Sequence, residues 1–171
     1  MIYTIIVDTF RGEYHMWFIP MIIGIYMCSP FLKKIAESEE IAKYFLLLSL
    51  VFASVIPQFV NLMNDFVGGV VAELISVANE TVCQLDLKIV LGYGFFFVLG
   101  YCLDRVELTK KQRALVYALG AVGFVSTVLL SAAASWKAQM PSEVYYDNFT
   151  VNVVLEAVAV HTWFKYRSYE R

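Results

Sequence analysis

Few side chains in this sequence have types and positions suited to chemistry. There are two histidines, His15 and His161. His15 stands between Tyr14 and Trp17, at the head of an apolar run. There an imidazole could assist a proton transfer, or simply cap the helix within an aromatic belt. His161 sits beside Trp163 and Tyr166, where an interfacial belt residue is the simpler reading. If the apolar runs cross a membrane, the two histidines lie at opposite faces, roughly 30 Å apart. That spacing excludes a shared metal or an acid–base dyad. Asn152 and Glu156 are one helical turn apart and share a face. A carboxyl within an apolar run is costly and usually functional; the alternative is a hydrogen-bonded glutamate that locks helices together. The catalytic candidates are therefore His15 and Glu156, and the substrate-binding candidates are Tyr14, Trp17 and Asn152. Cys28, Cys83 and Cys102 are scattered and odd in number, which gives neither a disulfide framework nor zinc spacing. No metal and no bound cofactor is expected. Gln58 and Asn61 read as interhelical hydrogen bonds. Asn79-Glu80-Thr81 and Asn148-Phe149-Thr150 match the three-residue glycosylation pattern, a weak signal.

These residues need elements to hold them, and the composition says which kind. The 171 residues are 60% hydrophobic and only 16% charged, with a mean hydropathy of +0.65. Soluble domains carry nearer a quarter of charged residues. The apolar excess is gathered in runs, so the chain reads as an all-helical, polytopic membrane bundle forming one domain over 1–171. Met1–Val7 is apolar but short, without a basic leader or small-residue cleavage site, so no cleavable signal is expected. The net charge of −2 argues against a nucleic-acid partner.

The organising stretch is Glu13–Lys34, EYHMWFIPMIIGIYMCSPFLKK. It is uncharged from Met16 to Leu32, with aromatics at one end and a lysine pair at the other. It predicts a first span over about 16–32. Further spans are predicted at about 44–62, 87–103, 114–134 and 149–164. Pro57 should kink the second and free a carbonyl near Ala53. Gly92, Gly94 and Gly100 suit close helix approach in the third. Ala114 with Ala118, and Ser131 with Ser135, predict a packing face on the fourth. The segment at about 66–78 is too short to span. Val67, Val70, Val71, Leu74, Ile75 and Ala78 share one face, so it predicts an amphipathic helix.

With five spans, ten lysines and arginines fall on one side and three on the other, Arg11, Lys88 and Lys137. The ten belong in the cytoplasm, which puts the amino terminus outside and the carboxy terminus inside. If 66–78 also spanned, the split would fall to eight against five.

The segments His15-Met16-Trp17-Phe18-Ile19, Ile23-Gly24-Ile25-Tyr26 and Pro30-Phe31-Leu32 resemble a stretch opening the second half of the acyltransferase 3 family. Leu91–Phe97 with Leu99–Leu103, and Val151–Val160 through Lys165, resemble later family segments in the same order. The resemblance implies an integral membrane O-acyltransferase, a bacterial cytoplasmic membrane and membrane-lipid surroundings. Its donor would be an acyl-CoA, typically acetyl-CoA, and its acceptor a hydroxyl of an extracytoplasmic glycan, which His15 could help orient. The resemblance also places the family's catalytic histidine and a nearby arginine in an amino-terminal half. This chain would then be a half-protein or fragment needing that half as partner. The alternative is a non-enzymatic bundle subunit or a glycan or lipid carrier.

Overall fold

A computed structural model describes residues 18–67, 69–83 and 92–168. Among them there are helices and turns and no strand. Helix α1, Phe18–Glu37, carries Pro30 inside it. Helix α2, Glu39–Val67, runs about 43 Å at 1.5 Å per residue. Helix α3 is Gly69–Cys83, α4 is Gly94–Arg105, α5 is Lys110–Ala138 and α6 is Val151–Ser168.

Three of these helices, α1, α2 and α5, are long and apolar enough to cross a membrane. Their side chains point mostly outward, with Met27 at 74% and Leu129 at 63% exposure. Apolar surface facing out in this way suits lipid rather than water. The described part of α4 has 12 residues, about 18 Å, short of a bilayer core. Helix α6 has 18 residues but is interrupted by Asn152, Glu156 and His161. The ranges expected to span at 87–103 and 149–164 hold α4 and α6, neither of them among the three helices long and apolar enough to cross; residues 87–91 lie outside the described residues. The helix expected at about 66–78 appears as α3, shifted a few residues on, with Val70 and Leu74 exposed.

Helix α2 changes pitch twice. Its middle, Leu50–Val55, and its end, Met63–Val67, are π-helical. The first wide turn precedes Pro57, which has no N–H for the carbonyl of Ala53. The bond from Ile56 N–H to the Val51 carbonyl carries the helix past that gap. The kink expected at Pro57 is therefore met by a widened turn, a feature frequent at functional sites.

Two helix groups build the bundle. Helices α1, α2 and α4 share a core of Leu32, Ala36, Ala42, Phe45 and Val98. Gly94 lets α4 approach, since a Cβ there would lie 3.1 Å from Leu32 Cδ2, whereas Gly100 has open space. Among the described residues, helices α5 and α6 make the broadest contact between helices. The expected small-residue face on α5 is only partly right: Ala114 and Ala118 are exposed. The residues that face α6 are Gly120 and Gly123, whose added Cβ atoms would meet Ala159 and the Asn152 carbonyl. They sit three apart on a stripe offset from Ala114 and Ala118.

Candidate functional site

The two groups meet at α6. Asn152, in its first turn, is 3% exposed, and its amide is fully engaged. Its Nδ2 donates to Thr127 Oγ1 at 2.5 Å and to the Tyr145 carbonyl at 2.7 Å. Its Oδ1 accepts from Gln58 Nε2 at 3.0 Å. Gln58 Oε1 in turn accepts from the Val151 N–H at 2.7 Å, one of the orphan donors at the start of α6. Thr127 Oγ1 donates to Glu156 Oε1 at 2.6 Å, with the Gly123 carbonyl at 3.0 Å as its other acceptor.

Every bond in this chain has the same sense. Val151 donates to Gln58, Gln58 to Asn152, Asn152 to Thr127 and Thr127 to Glu156. Bonds aligned this way polarise one another, and all of them end on a carboxyl that accepts. Three helices, α2, α5 and α6, each supply a member. The site therefore exists only in the assembled bundle.

Asn152 and Glu156 do share a face, as the spacing predicts, but they are joined through Thr127 rather than to each other. Thr127 and Tyr145 carry no signal in the sequence: one is a hydroxyl in a long apolar run, the other a tyrosine in a polar loop. Gln58 is an interhelical hydrogen-bonding residue, as expected. The candidates Tyr14, His15 and Trp17 lie outside the described residues. His161 is two turns beyond Asn152 on α6, and its Nδ1 is buried without a hydrogen-bond partner. The residue as a whole is half-buried.

Beside Gln58 lies a cleft of about 80 Å³, lined by Ser54, Pro57, Gln58, Asn61, Asp147 and Thr150 among others. A single water needs only about 10–15 Å³ by the same measure, so a small polar group has room. Ser54 is 1% exposed, and its hydroxyl has no hydrogen-bond partner. The cleft thus borders a donor left unused by the fold, next to the widened turn of α2. Its rim is the loop 139–150. Asn148 Nδ2 donates to Tyr93 Oη at 2.9 Å, and Phe149 packs on Tyr93 and Phe96 with centroids 5.0 and 5.9 Å away. Below that aromatic lid an apolar groove of about 580 Å³ runs between α1, α4 and α6. Thr150, the last residue of one glycosylation match, is 6% exposed and bonded to the carbonyls of Asp147 and Tyr145.

Tyr145 pins the loop to α2. It is fully buried, and its hydroxyl donates to Asp65 Oδ2 at 2.8 Å. Burial, then the hydrogen bond to the Asp65 carboxylate and its charge, push the phenol well above its ordinary range. A raised folded value means the neutral phenol stabilises the fold fully below the unfolded value of about 10, and the gain is lost as pH rises through the folded value. Tyr145→Phe should therefore lower stability near neutral pH by about 1.5–3 kcal/mol, the worth of a hydrogen bond to a charged group. It should also blunt the alkaline loss that sets in above about pH 10. Unfolding in detergent at neutral and alkaline pH measures both. Equal stability of the two forms would mean that the loop is held elsewhere.

Comparison with known proteins bears on what such a site serves. A family model for an acyltransferase domain, that of acyltransferase 3, matches residues 6–166. The chain belongs to the acyltransferase 3 family. No curated protein and no solved structure matches it. As an acyltransferase 3 protein it is a membrane acyltransferase by family, and its apolar helices agree with a place in the bilayer. The match takes in α1 to α5 and all but the end of α6, so the polar cluster and the cleft both lie within the family domain.

Proposed function

We propose that this chain forms the acceptor-side part of a membrane O-acyltransferase that moves an acetyl group from acetyl-CoA to a hydroxyl of an extracytoplasmic glycan. The observation that carries the reading is the cleft at Gln58 and Ser54, backed by the aligned hydrogen-bond chain to Glu156 inside a family acyltransferase domain. In the reaction the acceptor oxygen bonds to the thioester carbonyl carbon, the carbon–sulfur bond breaks, and the hydroxyl proton leaves for a base while the thiolate is protonated. Glu156 is set back from the cleft by Gln58, Asn152 and Thr127, so it acts as a positioning residue. It holds the chain's polarity and thereby Gln58. The base is the histidine that the family resemblance assigns to an amino-terminal half, which this reading makes the chain's partner. Tyr14, His15 and Trp17 serve as further acceptor contacts at the outer surface. Five spans, an outside amino terminus and a bacterial cytoplasmic membrane complete the proposal, supported by the ten-to-three basic split.

The test is transfer of labelled acetyl from acetyl-CoA to cell-surface glycan in membranes holding this chain with a matching amino-terminal half. Transfer should require both halves, and Gln58→Leu should lower it at least tenfold with the chain still folded. Two results favour a bundle subunit or carrier instead: no transfer with both halves present, or the same rate for wild type and Gln58→Leu.

A further inference from the structure

At the other end of the bundle the last turn of α6 meets the connector between α4 and α5, and cations gather there. Lys165 Nζ donates to the carbonyls of Leu103, Asp104 and Val106 at 3.1, 2.6 and 2.8 Å. That uses its three protons on the carboxy-terminal end of α4, where a positive charge also offsets the helix dipole. Tyr166 Oη accepts from the Leu108 N–H at 2.5 Å. The connector is therefore held against α6 at a fixed place.

Around this anchor two arginines sit over aromatic rings. The Arg113 guanidinium is 4.3 Å from the Tyr166 ring centre, and that of Arg167 is 4.6 Å from the Trp163 ring centre. Lys110 is one turn before Arg113 and shares its face. The elements that meet here carry six cations, Arg105, Lys110, Lys111, Arg113, Lys165 and Arg167, and two carboxylates, Asp104 and Glu107. The ion pairs among the described residues, Lys33–Glu37 and Lys43–Glu39, involve none of them. Arg113 Nε is buried and has no hydrogen-bond partner. A guanidinium over a ring can present its terminal N–H groups in a planar, two-point contact, the geometry that suits a phosphate.

We infer that Lys110, Arg113 and Arg167, with the field of Lys165 behind them, form a binding site for a phosphate-bearing anion at this end of the bundle. The phosphate belongs either to an anionic lipid headgroup or to a soluble phosphorylated molecule. Trp163 and Phe164, 43% and 61% exposed, place the site at headgroup depth in either case. The inference does not depend on the acyl-transfer reading, because it concerns other residues and a binding readout.

The experiment uses the purified chain in phosphatidylcholine nanodiscs, titrated calorimetrically with inorganic pyrophosphate. Native mass spectrometry of the same chain in phosphatidylcholine–phosphatidylglycerol mixtures is the second arm. The variants are Lys110→Gln/Arg167→Gln, both at exposed positions, and Arg113→Gln. Loss of a charge-assisted bond should weaken binding about tenfold or more. Saturable pyrophosphate binding, weakened in the variants and indifferent to phosphatidylglycerol, supports the site with a soluble phosphate as ligand. Phosphatidylglycerol that displaces pyrophosphate, and is retained by the wild type but lost by the double variant, supports it with a headgroup. Equal pyrophosphate binding and equal lipid retention by wild type and double variant overturn it.

Discussion

Gly120→Ala is expected to separate α5 from α6. A Cβ at residue 120 would stand 2.3 Å from Ala159 Cβ, an atom fixed to the α6 backbone that has no rotamer to retreat into. At Gly123 the Cβ would stand 2.7 Å from the Asn152 carbonyl oxygen, again backbone. Helices whose contact depends on missing side chains lose their packing when a methyl is inserted. Overpacking costs about 1–3 kcal/mol in a close-packed interior, and alanine returns at most about 1 kcal/mol of helix propensity relative to glycine. The clash should win at both sites, and Gly120→Ala/Gly123→Ala should be worse than either alone. Thermal unfolding in detergent measures it, with Ala118→Val as the control on the exposed face. A double variant as stable as wild type would show that the two helices pack on another stripe.

The second large effect is at Asn152. Replacing it with leucine leaves Gln58 Nε2 without its acceptor and the Tyr145 carbonyl without the amide donor, in a setting 3% exposed. A buried polar group stranded this way costs about 1–3 kcal/mol, so Asn152→Leu should lose several kcal/mol or fail to assemble. Glu156→Leu should be milder than its place in an apolar helix suggests. It takes the acceptor from Thr127 Oγ1, but the Gly123 carbonyl at 3.0 Å remains as a second one. Asn152 keeps all its partners, because none of them is Glu156. Glu156→Gln should keep both shape and the Thr127 bond. The expected stability order is wild type and Glu156→Gln together, then Glu156→Leu, then Asn152→Leu. In the two-half transfer assay Glu156→Gln separates roles: retained transfer limits Glu156 to packing, and lost transfer in a folded variant makes its charge part of positioning. Asn152→Leu as stable as wild type would remove the cluster as the joint of the bundle.

Much of this protein is written locally. An apolar run of helical length needs no neighbour to be recognised, because the bilayer satisfies its side chains and the helix satisfies its own backbone. That is why α1, α2 and α5 are legible from composition and length alone, and why the family resemblance, carried by such runs, agrees with the domain match. The pairing of Asn152 with Glu156 on one face is legible too, since 3.6 residues per turn decides it.

Tertiary structure alone decides what those faces meet. Ala114–Ala118 and Gly120–Gly123 are equally plausible stripes in a sequence, and only the rotation of α5 against α6 selects the second. Thr127 bridges Asn152 to Glu156 from a helix 25 residues away, and Gln58 closes the cluster from 94 residues away. Side-chain hydrogen bonds reach about 3 Å and depend on direction, so partners so distant in the chain become neighbours only when three helices are set at particular depths and rotations. The widened turn before Pro57 is part of the same result. A proline predicts a break in the ladder, but whether the helix kinks or swells there depends on the neighbours packed around it, and those neighbours come from the rest of the bundle.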